Sequence, residues 1–424
     1  MTTAPPPSLA AALSHPTYRR FLAGITSTNV GQFLQGLASP FLVKQLTDSN
    51  AWVGAVSFAS LIPSLFATPI AGILADRVDR RTILLVAYGC QTIVTGGFVV
   101  LYAAGELTPW RILLLSLASG TAAGFQWAPV QSMAAILVPS DHLIPAVRLV
   151  SISFTAGRAL GPMIAGIVLQ VSGPGAAFAG TLLTYVVGLA FLSTVRTGWT
   201  PAEISAPPFL EQFRDGVDYV RARPSMRLAV SMSFLVAFLG AVFTFALTPS
   251  IADDIFETGG GGLGALATMA GVGSIVGSVF IGSRGGAVRR SRMELFSMSI
   301  YVGGLLVVAA TTSLAVGLAG FFLLGLAHML HGVTVNTSIQ VQVHEEYRGR
   351  VMSVWLMAVL AGLPIGAFIG GLLADVFSIA TVMLLYAALL ALAVTVQAVR
   401  TDRLAPLDLD RPDDLSGDRA PDRH

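Results

Sequence analysis

Between Phe21 and Val399 the chain falls into twelve uncharged or nearly uncharged stretches, most of them 20 to 29 residues long, separated by short polar segments. A bilayer's hydrocarbon core is about 30 Å thick and a helix rises about 1.5 Å per residue, so ~20 apolar residues cross it. No water satisfies the backbone there, which predicts helix throughout. The predicted spans are 21–43, 51–75, 82–105, 112–140, 149–171, 176–195, 228–252, 260–283, 295–313, 315–342, 351–374 and 376–399. The expected fold class is an all-α polytopic membrane protein.

The longest polar interruption, 196–227, divides the spans into two six-helix bundles, 21–195 and 228–399. Within it Phe209, Phe213, Val217 and Val220 recur at helical spacing opposite Glu211, Arg214, Asp215 and Arg221. That pattern predicts a short amphipathic helix at the membrane surface, tethering the halves. The halves also repeat. Gly157, Gly161 and Gly166 of the fifth span return 205 positions on as Gly362, Gly366 and Gly371 of the eleventh, and Asp141 returns as Glu346. Parallel repeats of this kind occur in transporters that rock one half against the other around a central site.

Composition agrees: 54% of residues are hydrophobic and 11% charged, against about 25% charged in soluble domains. The net charge of +2 hides a strong asymmetry. With the N-terminus inside, the inner segments hold Arg19, Arg20, Arg77, Arg80, Arg81, Arg148, Arg196, Arg214, Arg221, Arg223, Arg227, Arg284, Arg289, Arg290, Arg292, Arg348 and Arg350. The outer segments keep Lys44 and Arg111. Positive charge is retained on the cytoplasmic side, so both termini are expected there, and nothing in the charge suggests nucleic acid. Residues 1–20 read as a cytoplasmic tail and not as a signal peptide. The acidic, Pro-rich end, 400–424, reads as disordered. Cys90, the single cysteine, is expected to fill space inside a span.

After the second span, Gly72, Asp76, Arg77, Asp79, Arg80 and Arg81 stand in the order G-I-L-A-D-R-V-D-R-R. This resembles the G-x-x-x-D-R-x-x-R-R signature of the major facilitator superfamily, and the resemblance extends over all twelve spans. Gly72 is expected to let helices approach closely, and Asp76 to accept charge-assisted hydrogen bonds from the other half as a cytoplasmic latch. The second-half copy around Gly285, Gly286, Arg289 and Arg290 has no acid. In the fifth span Gly157, Gly161, Pro162 and Gly166 are similar to the family's antiporter motif, with Ala165 in place of one glycine. The motif implies export, although ordinary helix packing also explains small residues four apart.

Arg158 is the one formal charge read as lying well inside a span. It sits 13 residues past Pro145, roughly 20 Å at the helical rise. A charge there costs about 2.5–3.5 kcal/mol even on a lenient scale, so it is expected to face protein or water, either as a cavity cation or as a structural group bonded to carbonyls. His328 and His331 lie one turn apart in the tenth span, and Asn336 shares a face with His328. Imidazole changes charge near neutrality, so the pair is a candidate for a translocated proton or for substrate contact. A metal is disfavoured, because no Cys, Asp or Glu of that span completes a ligand set. Asn29 and Gln32 in the first span, Gln126 and Trp127 in the fourth, and Thr244 and Thr248 in the seventh extend the candidate cavity. No carboxylate is read as lying deep in any span.

Within the superfamily the chain most resembles the enterobactin-exporter-like branch, which includes siderophore exporters and macrolide efflux pumps. The residues are Val138, Pro139 and Asp141, then Arg158 before Gly161 and Pro162, the run from Gly216 to Pro224, and Glu345, Glu346, Arg348 and Arg350 in the second-half cytoplasmic loop. The resemblance implies export of a small amphipathic molecule across a bacterial inner membrane in exchange for protons. The partners are then substrate, proton and lipid bilayer, with no bound cofactor, and the chain is expected to act as a monomer. An uncoupled facilitator or an uptake permease would share most of these features. An enzyme is not expected, since no G-x-x-x-x-G-K-S/T, H-E-x-x-H or G-x-S-x-G pattern occurs.

Overall fold

The structure, a computed structural model, describes residues 9–197, 209–284, 288–399 and 405–408, and these contain helices and turns but no strand. They form two compact units, 1–205 with 259–265, and 206–258 with 266–424.

The first unit contains α1 (Leu9–Leu13), α2 (Pro16–Thr47), α3 (Asn50–Arg77), α4 (Arg80–Ala103), α5 (Pro109–Gly124), α6 (Trp127–Leu137) and α7 (Leu143–Ser193). Local chemistry sets the boundaries. Pro16 and Pro109 open helices at the first turn, where a missing N–H costs nothing. Ser49 caps α3 by accepting from Trp52 N, and Asp79 caps α4 by accepting from Arg81 N. α7 joins two predicted spans across Gly173, whose φ of 76° suits glycine, followed by Pro174. α2 and α7 pack lengthwise, and Tyr18 donates to the Ala146 carbonyl at 2.7 Å between them. Their core includes Phe21, Ile25, Tyr88, Met133, Val150, Tyr185 and Leu192.

The second unit contains α8 (Phe209–Ala222), α9 (Pro224–Leu235), a π-helical turn (Val236–Ala241), α10 (Val242–Phe245), α11 (Thr248–Asp254), α12 (Gly259–Arg284), α13 (Arg290–Ala309), α14 (Leu314–Gln342), α15 (Glu345–Phe377) and α16 (Ile379–Val399). The first seven residues of α12 group with the first unit. The seventh predicted span is thus broken, with Thr248 Oγ1 donating to the freed carbonyls of Phe243 and Thr244.

Among the described residues, nine helical segments are long and apolar enough to cross a membrane. α2 has the length, but Thr26 to Asn29, Gln32 and Gln35 make it more polar. α5 and α6 share one predicted span interrupted at Phe125 and Gln126. Large apolar side chains stand outward along the helices, among them Ile93 (75% exposed), Val171 (78%) and Val376 (73%). A surface of this kind is stable in lipid and not in water.

The internal repeat extends to its packing partners. An added Cβ at Gly157 would meet Asn29 and Phe33, and one at Gly161 would meet Phe33 Cβ at 2.5 Å. In the second unit, Gly362 approaches the Phe234 carbonyl and Gly366 that of Phe238. Phe234 and Phe238 stand 205 positions after Asn29 and Phe33, the same offset as the glycines. The first and fifth spans therefore pack as the seventh and eleventh do. Gly166 packs on Gly264, at the start of α12.

The tail is not uniformly disordered as expected. Residues Ala405–Asp408 form a turn with Leu407 buried among Met226, Val335, Ile339 and Val351. The rest of 400–424 lies outside the described residues, as do residues 1–8, 198–208 and 285–287.

Candidate functional site

In the first unit, the fifth-span helix brings polar and aromatic groups together. Asn29 donates to Ser153 Oγ at 3.4 Å, and Thr26 shares a 2.7 Å hydrogen bond with the same hydroxyl. Gln32 is exposed, and Gln126, at the α5–α6 break, is buried with its Nε2 unpartnered. Rings continue the surface: Phe154 lies 5.8 Å from Phe33 and 5.3 Å from Trp127, centroid to centroid. Half-buried Arg158 follows Phe154 by one helical turn. Phe33 and Phe154 were missed in the sequence because a phenylalanine in an apolar span carries no signal of its own; the contacts of Phe154 with Phe33 and Trp127 are tertiary.

Gln35 belongs to packing. It donates to Ser119 Oγ and accepts from Thr95 Oγ1, while Ser119 donates to Gln91. This buried cluster ties α2, α4 and α5.

The loop motif divides its labour. Asp79 caps α4 and accepts from Thr197 Oγ1 at 2.9 Å, and Arg81 donates to the Ser193 carbonyl at 2.7 Å. Arg77 is exposed at the end of α3 and Arg80 opens α4. Among the described residues the expected close approach at Gly72 is not found, since an added Cβ would meet nothing within 4 Å. The Asp76 side chain lies outside the described residues. Cys90 is exposed and fills no core; it lines an apolar groove of about 560 Å³ with Leu74, Ile83, Val94 and Phe125.

In the second unit, antiparallel α13 and α14 pair residue by residue. His328 Nδ1 lies 3.2 Å from the Tyr301 hydroxyl, and its ring sits 5.0 Å from that of Phe245. His331 Nδ1 lies 2.7 Å from Glu294 Oε1. Both members of this second pair are buried, Glu294 completely. A buried carboxylate therefore exists that the sequence did not mark, in the second turn of α13 and not deep in the span. Glu294 stood one residue outside the predicted ninth span, beside Arg290 and Arg292, where it looked like loop. α13 instead begins at Arg290 and draws Glu294 into its second turn.

Asn336 accepts from Gln340 on its own helix at 2.6 Å. Thr248 Oγ1 is bonded to the backbone of its own segment, and Thr244 Oγ1 is buried without a hydrogen-bond partner, so neither hydroxyl is exposed. Glu345, Glu346 and Arg348 are exposed at the start of α15, where the two acids favour the helix dipole. Arg350 is engaged: it pairs with Asp215 at 2.9 Å and lies 5.2 Å over the Tyr347 ring. Asp215 therefore pairs with α15 while staying partly exposed. Tyr219 stacks near Tyr347 at 4.9 Å and carries Arg223 over its ring at 3.6 Å.

The family model described as transmembrane secretion effector matches residues 7–414. The chain belongs to this family. It is a membrane transporter of the major facilitator type and not an enzyme. An enterobactin exporter of Salmonella paratyphi A is 27% identical over 381 residues, covering 85% of this chain and 86% of the relative. One of Escherichia coli O1:K1 is 26% identical over 373 residues with the same coverage. Among solved structures, the nucleoside transporter NupG gives a TM-score of 0.72 at 13% identity, over 93% of this chain and 100% of that one. A bacterial homologue of the iron transporter ferroportin gives 0.72 at 15%, over 92% and 98%. At such identities the likeness establishes the fold.

Proposed function

We propose that this transporter exports a small, aromatic, acidic molecule of the siderophore type from the cytoplasm across a bacterial inner membrane, by alternating access and in exchange for protons. The observation that carries the reading is Arg158, one turn after a Phe154 ring that touches Phe33 and Trp127. A cation costly to place in a membrane helix is kept where it can meet an anion, beside rings on which an aromatic substrate can stack. The enterobactin exporters aligned over 85% of the chain support the siderophore class over a macrolide-like drug. The arginine distribution supports both termini in the cytoplasm. Asp79 is committed to capping α4, so the latch role falls to Asp76. The chain works as a monomer without a bound cofactor.

The test is enterobactin movement in reconstituted vesicles. Wild-type protein should accumulate enterobactin when a pH gradient is imposed. Arg158→Ala and Phe154→Ala should each lose movement, while Arg158→Lys keeps part of it. No movement above protein-free vesicles would refute the substrate class. Movement unchanged by collapse of the gradient would show an uncoupled facilitator.

A further inference from the structure

Glu294 and His331 form a buried carboxylate–imidazole pair that is only half satisfied. Their facing atoms, Oε1 and Nδ1, lie 2.7 Å apart, a charge-assisted distance. Their outer atoms, Glu294 Oε2 and His331 Nε2, are buried and make no hydrogen bond. Buried polar atoms in native proteins are nearly always paired, and each exception calls for a reason. A structural pair would gain by satisfying those atoms or by being replaced with apolar groups. This one retains two open valences next to the bond it makes.

We propose that the Glu294–His331 pair is the site that carries the exchanged proton, a proposal that rests on the proton-exchange reading above. With one proton on the Oε1–Nδ1 line and one on His331 Nε2 the pair is net neutral. Releasing a proton through His331 Nε2 leaves a carboxylate accepting from the Nδ1–H of a neutral imidazole, net charge −1, and taking one up at Nε2 restores neutrality. A buried site tolerates the neutral pair and penalises the net charge. Release therefore requires water or a compensating charge to reach the site, which ties the proton to a change in conformation. His331 Nε2 and Glu294 Oε2 are the atoms through which such access would come.

The charged groups nearest the pair along these elements have hydrogen bonds of their own or stand exposed. On α13, Arg290 lies one turn before Glu294 and donates to the Leu407 carbonyl, while Arg292 is exposed. On α14, His328 is held by Tyr301, one further turn from the pair. From the C-terminal turn, Asp408 is bound to Ser291. α16, which also packs on α13, carries Tyr386 and no formal charge, and the π-helical turn carries none. α9, against α14, brings Arg227, which donates to the Arg221 carbonyl.

Two measurements test the proposal. In the first, which needs no substrate, purified protein in lipid is cycled between about pH 5 and pH 9 while the infrared carboxylic-acid band is followed. Wild type minus Glu294→Gln should show one exchanging carboxyl, and His331→Ala should move it. Identical spectra for wild type and Glu294→Gln would overturn the proposal. In the second, a pH gradient of about one unit drives wild-type enterobactin accumulation up to about tenfold for one-for-one exchange. Glu294→Gln should still exchange enterobactin between equal pools but fall to a ratio near one, with Glu294→Asp restoring part. Accumulation by Glu294→Gln equal to wild type would also overturn it. If Glu294→Gln does not assemble, the apolar double replacement Glu294→Met/His331→Leu takes its place with the same expectation. If wild type moves no enterobactin, the substrate reading fails, while the infrared result still decides whether the pair exchanges a proton.

Discussion

Removing the carboxylate of Asp408 should release the C-terminal turn without disturbing the rest of the second unit. Leu407 is 1% exposed, and burying a leucine stabilises by about 1.5–3 kcal/mol. Its carbonyl accepts from Gln342 at 3.1 Å and Arg290 at 3.3 Å, each worth about 0.5–1.5 kcal/mol. Asp408 accepts from Ser291 N at 2.9 Å and Ser291 Oγ at 2.6 Å, capping α13 from a distant part of the chain. Such a cap contributes about 0.5–2 kcal/mol. Together these gains are roughly 3–8 kcal/mol, and ordering four backbone residues costs about 4–8 kcal/mol. The docked turn is therefore marginal, and one lost cap should shift its population by about 2- to 30-fold. The assay is thiol labelling of Leu407→Cys on a Cys90→Ser background, since cysteine keeps part of the apolar contact and reacts only when undocked. Adding Asp408→Ala should accelerate labelling by that factor. An unchanged rate would refute the capping argument.

Gly161→Ala would push a Cβ to 2.5 Å from Phe33 Cβ and should lower stability by about 1–3 kcal/mol. Gly72→Ala enters open space within a helix and should raise it by about 0.5–1 kcal/mol; thermal unfolding in detergent compares the two. Asp79→Ala should destabilise by about 0.5–2 kcal/mol as a lost cap, whereas Asp76→Asn should leave the unfolding temperature unchanged and cripple transport. Equal transport by Asp76→Asn and wild type would remove the latch. A double-mutant cycle on Asp215 and Arg350, half-exposed partners, should give a coupling of about 0.2–1 kcal/mol.

The long apolar stretches, the glycine repeat and the arginine asymmetry are local properties, so the sequence alone determined that the chain is a helical membrane protein of this superfamily. It also marked Arg158, because a charge inside an apolar run is conspicuous without knowledge of its neighbours. Helix ends were less legible. Whether Glu294 is loop or helix turns on where α13 begins, and a start five residues earlier than predicted moved a carboxylate from surface to interior. Partners between helices were not legible at all. That His331 meets Glu294 and His328 meets Tyr301 follows from the antiparallel register of α13 on α14. That Phe154 bridges Phe33 and Trp127 follows from α7 lying on α2, close enough only because Gly157 and Gly161 have no side chain there. The polar tail looked unable to order itself, and by its own composition it is; Leu407 and Asp408 are held by a pocket and a helix end that exist only once α9, α13, α14 and α15 have packed. Hydrophobic pattern is written residue by residue along the chain, whereas a buried pair depends on two distant segments meeting, and packing alone decides which ones do.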